Sequence, residues 1–158
     1  LIDYLEDSGE GIEYYAKELI KRGYTYSHHF GPHDLSVREL MGSGKTRQET
    51  AANFGIKFEI VPRISNQAEG IQAVRQFLPQ CSFDETKCEQ GINCLDNYRK
   101  EWDDRLGVYK DRPRHDWASH GAKAFETLAR ADIFQIIDIS NRPVATTTNS
   151  RSGWKGFT

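Results

Sequence analysis

The strongest constraint on this chain is an alternation of hydrophobic periods, short two-residue patterns exchanging with helical stripes over its first half. From Gly11 to Arg22 the apolar residues Ile12, Tyr15, Ala16, Leu19 and Ile20 fall on one helical face, and Gly23 stands where a helix C-cap belongs. Tyr24 to Phe30 then places Tyr26, His28 and Phe30 on one side of an expected strand, broken by Gly31-Pro32. Arg47 to Phe54 predicts a helix stopped at Gly55, Lys57 to Val61 a strand closed by Pro62, and Asn66 to Leu78 a helix through Ile71, Val74 and Leu78. Leu1 to Glu6 alternates as a further strand would, with a turn at Asp7-Ser8-Gly9. Such a rhythm predicts an α/β fold with crossover helices, whose ligand edge lies at the carboxyl ends of the strands.

The second half is read more coarsely. Cys88 to Trp102 carries Ile92, Leu95, Arg99 and Trp102 at helical spacing, Asp103 to Arg114 reads as loop, and another helix begins near Asp116. Ile133 to Ile139 is β-like. Residues 140–158 are polar and rich in threonine and glycine, so a domain over 1–139 followed by a flexible tail is expected.

A length of 158 residues suits one core. With 37% hydrophobic and 28% charged residues, and no apolar run near the ~20 residues of a membrane span, the chain is expected to have no membrane partner. It starts at Leu1 with no pattern of a signal peptide and reads as a fragment of something larger. Three cysteines, at 81, 88 and 94, fit neither a disulfide framework nor a CxxC zinc site, which points to a reducing, cytoplasmic compartment, and the thiols of Cys88 and Cys94 are expected to pack in the core. The formal net charge of −2 lacks the basic signature of many nucleic-acid binders, so any DNA contact must rest on a local patch.

Within the late helix, Asp116, His120 and Lys123 are spaced i, i+4, i+7 and so project together, opposite an apolar side of Ala118, Ala122, Phe125 and Leu128. That polar face is either solvated surface or one wall of a site. Asp116 also suits an N-cap, worth about 1 kcal/mol, and His120 suits either an exposed position or a metal ligand or proton carrier. Asp34 follows a strand end, where α/β enzymes place catalytic groups and where ordinary turns also place aspartate. His28 and His29 point to opposite faces of a strand and do not chelate together. Gly42-Ser43-Gly44-Lys45-Thr46 is not a nucleotide-binding loop, because the required glycine five positions before Gly44 is Glu39. Arg38, Lys45 and Arg47 around it are available to nucleic-acid phosphates or are simply a charged loop.

Several ordered motifs, namely Gly31-Pro32-His33-Asp34-Leu35, Ser43-Gly44-Lys45-Thr46-Arg47, Gly55-Ile56 to Pro62, Gly70 to Arg75, Tyr98-Arg99-Lys100-Glu101-Trp102 and His115 to Ala122, together resemble the nuclease domain of the large terminase subunit of tailed bacteriophages. The resemblance covers about residues 1–130. It implies a ribonuclease H-like mixed sheet flanked by helices and an endonuclease that cuts concatemeric double-stranded DNA during genome packaging in the bacterial cytoplasm. It further implies Mg²⁺ or Mn²⁺ in a two-metal site, with the portal protein and the small terminase subunit as partners. In its terms Asp34 is the second-strand carboxylate, the Asp116 to Phe125 helix carries the last acidic ligand, and Arg38, Lys45 and Arg47 hold DNA phosphates.

Two departures qualify that likeness. The family's first carboxylate lies on an opening strand upstream of the one that Leu1 to Glu6 resembles, so the chain is expected to begin after it. Where the family's helix commonly reads Ser-His-x-Ala-Asp-Ala, Lys123 takes the acidic place. A unit charge pair ~4 Å apart at an effective dielectric near 20 is worth about 4 kcal/mol, doubled for a divalent ion, so an ammonium there opposes metal binding. Asp116 and His120 are left as supporting ligand or proton-transfer groups, and Lys123 as a group that can neutralise a scissile phosphate. The resemblance therefore leaves two expectations: a weak metal-dependent nuclease, or a prophage-derived remnant that only binds DNA or portal.

Overall fold

The computed structural model describes residues 1–38 and 44–133. The expected tail, all but the first residue of the expected Ile133 to Ile139 strand, and Gly42-Ser43 of the glycine-rich loop lie outside these residues. The described chain is mixed α/β, with five helices and two small sheets. Helix α1 spans Ile12–Lys21, and Gly23 adopts φ +69° just beyond it, as a left-handed C-cap requires. Ile12, Ala16 and Leu19 pack with Ala51, Phe54, Ile56 and Phe58, whereas Ile20, on the edge of the same stripe, remains exposed.

Strand β1 is His29–Pro32, later than the periodicity suggested, and pairs in parallel with β2, Phe58–Val61, in the register His29 to Phe58 and Pro32 to Val61. Pro32 occupies the last position of an edge strand, where its missing N–H costs no ladder bond. Between the strands lies α2, Arg47–Ala52, started by a capping box in which Thr46 Oγ1 accepts from Glu49 N–H and the Glu49 carboxylate accepts from Thr46 N–H. Helix α3, Gln67–Phe77, is capped by the Asn66 side chain.

Three expectations are corrected. Leu1 to Glu6 joins no sheet: its backbone bonds run to the chain near Ser82 and Asp84, with Asp84 N–H donating to Leu1 O at 2.9 Å. Tyr4 of this strap fits where Gly91 and Gly121 leave room, and Asp3 pairs with Arg22 at the end of α1. The helix expected over Cys88 to Trp102 is α4, Glu89–Asn97, only; Lys100–Asp103 and Val108–Pro113 form an antiparallel hairpin, β3 and β4, where helix and loop were read. Asp103 Oδ1 accepts from the N–H groups of Arg105 and Leu106, and Gly107 at φ +65° completes the turn. Trp102 stacks edge-on against Tyr109 at 4.8 Å across the hairpin, a pairing that helical periodicity cannot reveal.

Helix α5, Trp117–Ile133, packs on α3 and α4 and touches both β1 and β2. Its Ala118, Ala122, Phe125 and Ala129 are buried, as the apolar side predicted, and Phe125 meets Phe77 and Phe83 at 5.8 and 5.9 Å. Cys88 and Cys94 are buried beside it, the packing role expected of the thiols. No helix among the described residues is long and apolar enough to cross a membrane.

His29 sits half-buried at the start of β1 between Tyr26 and Phe58, and desolvation holds its pKa below the ordinary histidine value. The folded state thus binds fewer protons at this ring than the unfolded chain does. Its contribution is intact above the unfolded pKa of about 6.5 and is lost as pH falls below that value through the folded one. Urea-midpoint measurements should show stability dropping from pH 7.5 to 5, and His29→Gln should make the drop smaller.

Candidate functional site

The carboxyl ends of β1 and β2 open onto a cleft of about 970 Å³, walled on the other side by α5 and by the end of β4. This is the edge at which α/β sheets place ligands. Asp34, in the 3₁₀ turn His33–Ser36 directly after β1, is exposed in this cleft. His120 and Lys123 reach it from α5. Three of the four residues expected to carry chemistry are therefore brought to one place.

Asp116 does not line it. One carboxylate oxygen accepts from Ala118 N–H at 3.2 Å and the other lies 3.4 Å from Arg114 Nε, so this side chain starts the helix. Arg38, Lys45 and Arg47 do not line the cleft either. Arg38 bridges to Thr46, and its positive charge and that of Lys45 help hold the Glu49 carboxyl below its ordinary pKa, after the larger effect of the bond from Thr46 N–H. Glu49 also occupies the start of α2, where its carboxylate accepts from Thr46 N–H.

The floor is set by residues that motif reasoning passed over. Glu126 and Arg130 of α5 are 5% and 8% exposed, unusual burial for charged side chains. Lys123 Nζ donates to Glu126 Oε2 at 2.6 Å. Glu126 lies against α3 where residue 70 is glycine: a Cβ there would stand 2.5 Å from the carboxyl carbon and force it to move. Beside it Gln67 Nε2 donates to the Tyr98 hydroxyl at 3.0 Å, and burial is the main cause that raises the Tyr98 pKa, with Glu126 adding to it. Arg130 donates to the Pro62 carbonyl, and its Nε has no partner among the described residues. The signal in the sequence was the spacing 123, 126, 130, which continues one helical face.

At the rim, His115 and His120 meet edge-on at 5.5 Å. Ser119 Oγ donates to Asp116 O at 2.6 Å, so its 3.0 Å contact with His115 Nδ1 requires the hydrogen on the imidazole. From the hairpin come Arg112, whose Nε lies 3.4 Å from Glu101, and Arg114. Arg63, one residue after Pro62, makes no ion pair with any described residue.

Charge decides what this cleft can hold. Its walls carry the five cations Arg63, Arg112, Arg114, Lys123 and Arg130 against two carboxylates, Asp34 and Glu126. Glu126 already bonds Lys123, and among the described residues no three His, Cys, Asp or Glu side chains group closely enough to grip a metal ion. This donor set does not fit a pair of divalent cations, which need several carboxylates to offset their charge. It fits an extended anion. The chain matches no protein-family model, no curated protein and no solved structure.

Gly70→Ala is expected to displace Glu126 and to destabilise the fold by about 1–3 kcal/mol, an overpacking effect. Adding Glu126→Ala should recover most of that loss. Urea unfolding of the two single variants and the double variant gives the coupling; additive losses would contradict the contact.

Proposed function

We propose that this chain is a double-stranded DNA-binding module of the terminase-nuclease type, holding the phosphate backbone in the cleft between the strand ends and α5. The observation that carries this reading is the excess of five cations over two carboxylates on the walls of one cleft, in a chain whose overall charge is −2. Duplex DNA carries a negative charge every ~1.7 Å along its axis, and each phosphate neutralised releases a counterion. The guanidinium groups of Arg63, Arg112 and Arg114 suit paired hydrogen bonds to phosphate oxygens. A ribonuclease H-like arrangement accords with parallel strands delivering Asp34 to the same edge.

Binding without cutting is the form of this function that the charges favour. Lys123 is bonded to the one buried carboxylate of the cleft and stands where a metal ligand would have to be negative. In its place the ammonium is available to a DNA phosphate as well as to Glu126. Asp116, held by the helix start and by Arg114, supports α5 and orients the rim.

Fluorescence anisotropy with a labelled duplex tests this. Affinity should fall steeply with salt, and Arg112→Ala should weaken binding on every sequence and lower the slope of log K against log salt by about 1. Plasmid incubated with the protein and Mg²⁺ or Mn²⁺ should be retarded on a gel yet remain supercoiled. Salt-independent binding, or no binding at low salt, would overturn the DNA reading; nicking by the unaltered chain would overturn its non-cleaving form.

A further inference from the structure

Arg130 poses a problem that the described residues do not solve with their own groups. The side chain is more than nine-tenths buried, its Nε has no partner among the described residues, and its terminal nitrogen donates to the neutral carbonyl of Pro62. A buried cation left without an opposite charge is strongly unfavourable. The acid one turn earlier, Glu126, is bonded to Lys123, and no ion pair joins any described carboxylate to Arg130.

What surrounds Arg130 on the cleft side is positive as well. Arg63 follows the proline whose carbonyl Arg130 binds, is exposed, and has no acidic partner among the described residues. Ile64, Ser65 and Gln67 continue the same wall into the beginning of α3, where the N–H groups of Ala68 and Glu69 already bond Asn66, so the groups left to receive an anion here are the two arginines. Two guanidinium groups, one sunk in the wall and bonded to Pro62, the other exposed on the next residue, line the cleft where the turn from β2 into α3 meets α5.

We propose that this junction is a seat for one phosphate group, gripped by Arg130 and Arg63. The inference rests on the cleft being a polyanion site and adds to it a fixed point that sets where along the backbone the nucleic acid stops. The phosphate is either an internal phosphodiester of the duplex or a terminal phosphate monoester; both present the oxygens that a guanidinium fork binds in pairs.

Two measurements on the whole chain test the seat separately from the cleft. In thermal unfolding, inorganic phosphate at matched ionic strength should raise the midpoint saturably, and Arg63→Ala, at an exposed position, should weaken the apparent phosphate affinity about tenfold, the scale of one charge-assisted bond. Arg130→Gln should abolish the effect. An equal rise in wild type and Arg63→Ala would be a general salt effect and would overturn the seat, as would no rise at all. Duplexes with and without a 5′-phosphate identify the source: tighter binding of the phosphorylated end that Arg63→Ala removes supports the monoester, whereas equal binding that Arg63→Ala weakens supports the internal diester. Duplex binding indifferent to Arg63→Ala, with no phosphate effect, would remove the seat and leave the cleft. A phosphate effect without duplex binding would remove the cleft and leave the seat.

Discussion

Everything else in this structure depends on how closely α5 can approach its neighbours. Ala118, Ala122, Ala129 and Ala131 present almost no side chain on the buried face, so α3 and α4 pack against a nearly bare helix, with Phe125 filling the space between them. Close approach between helices follows directly from small residues at the contact. It also decides the fate of the polar stripe on the same helix: Lys123, Glu126 and Arg130 are drawn down to the strand ends. The helix that completes the core is thereby the wall of the cleft.

That arrangement reconciles an acidic chain with a basic cleft. Elsewhere in the described structure many charges are already paired on the surface, as in Lys17 with Glu13, Lys21 with Glu18 and Lys110 with Glu101. Such exposed pairs add little stability, but they cancel in the far field. The carboxylates that partner Arg112 and Arg114, Glu101 and Asp116, stand outside the cleft lining, while both arginines line it and stay more than half exposed. An overall charge therefore says little about a concave surface, where the arrangement of groups sets the local field.

Much of the first half was legible in the sequence because its signals are local. Gly23 and Gly55 end helices where their freedom at positive φ is needed, and the Thr46–Glu49 box opens α2. The parallel strands delivering Asp34 to a ligand edge followed from the strand and helix alternation. The hairpin was hidden because Ile92, Leu95 and Trp102 keep a helical interval across a boundary that tertiary pairing imposes at Asn97. The strap was misread because two glycines distant in sequence, Gly91 and Gly121, give Tyr4 a place that no strand pattern encodes. In the cleft, Asp34, His120 and Lys123 were visible as residue types at suggestive spacings; Arg63, Glu126 and Arg130 were not, since their significance lies in burial and in what they lack as partners.

The glycine at position 70 has a mechanical consequence. One turn of helix is 5.4 Å, and a slide of α3 along α5 by that distance would bring a Cβ-bearing residue to the spot now filled by the Glu126 carboxylate. An absent methyl acts as a keyway, with the carboxylate as its key, so any slide of the two helices must first displace the Glu126 side chain. The cleft wall that carries Lys123 is accordingly held in place by packing within the chain. Whatever enters must match a gauge already cut.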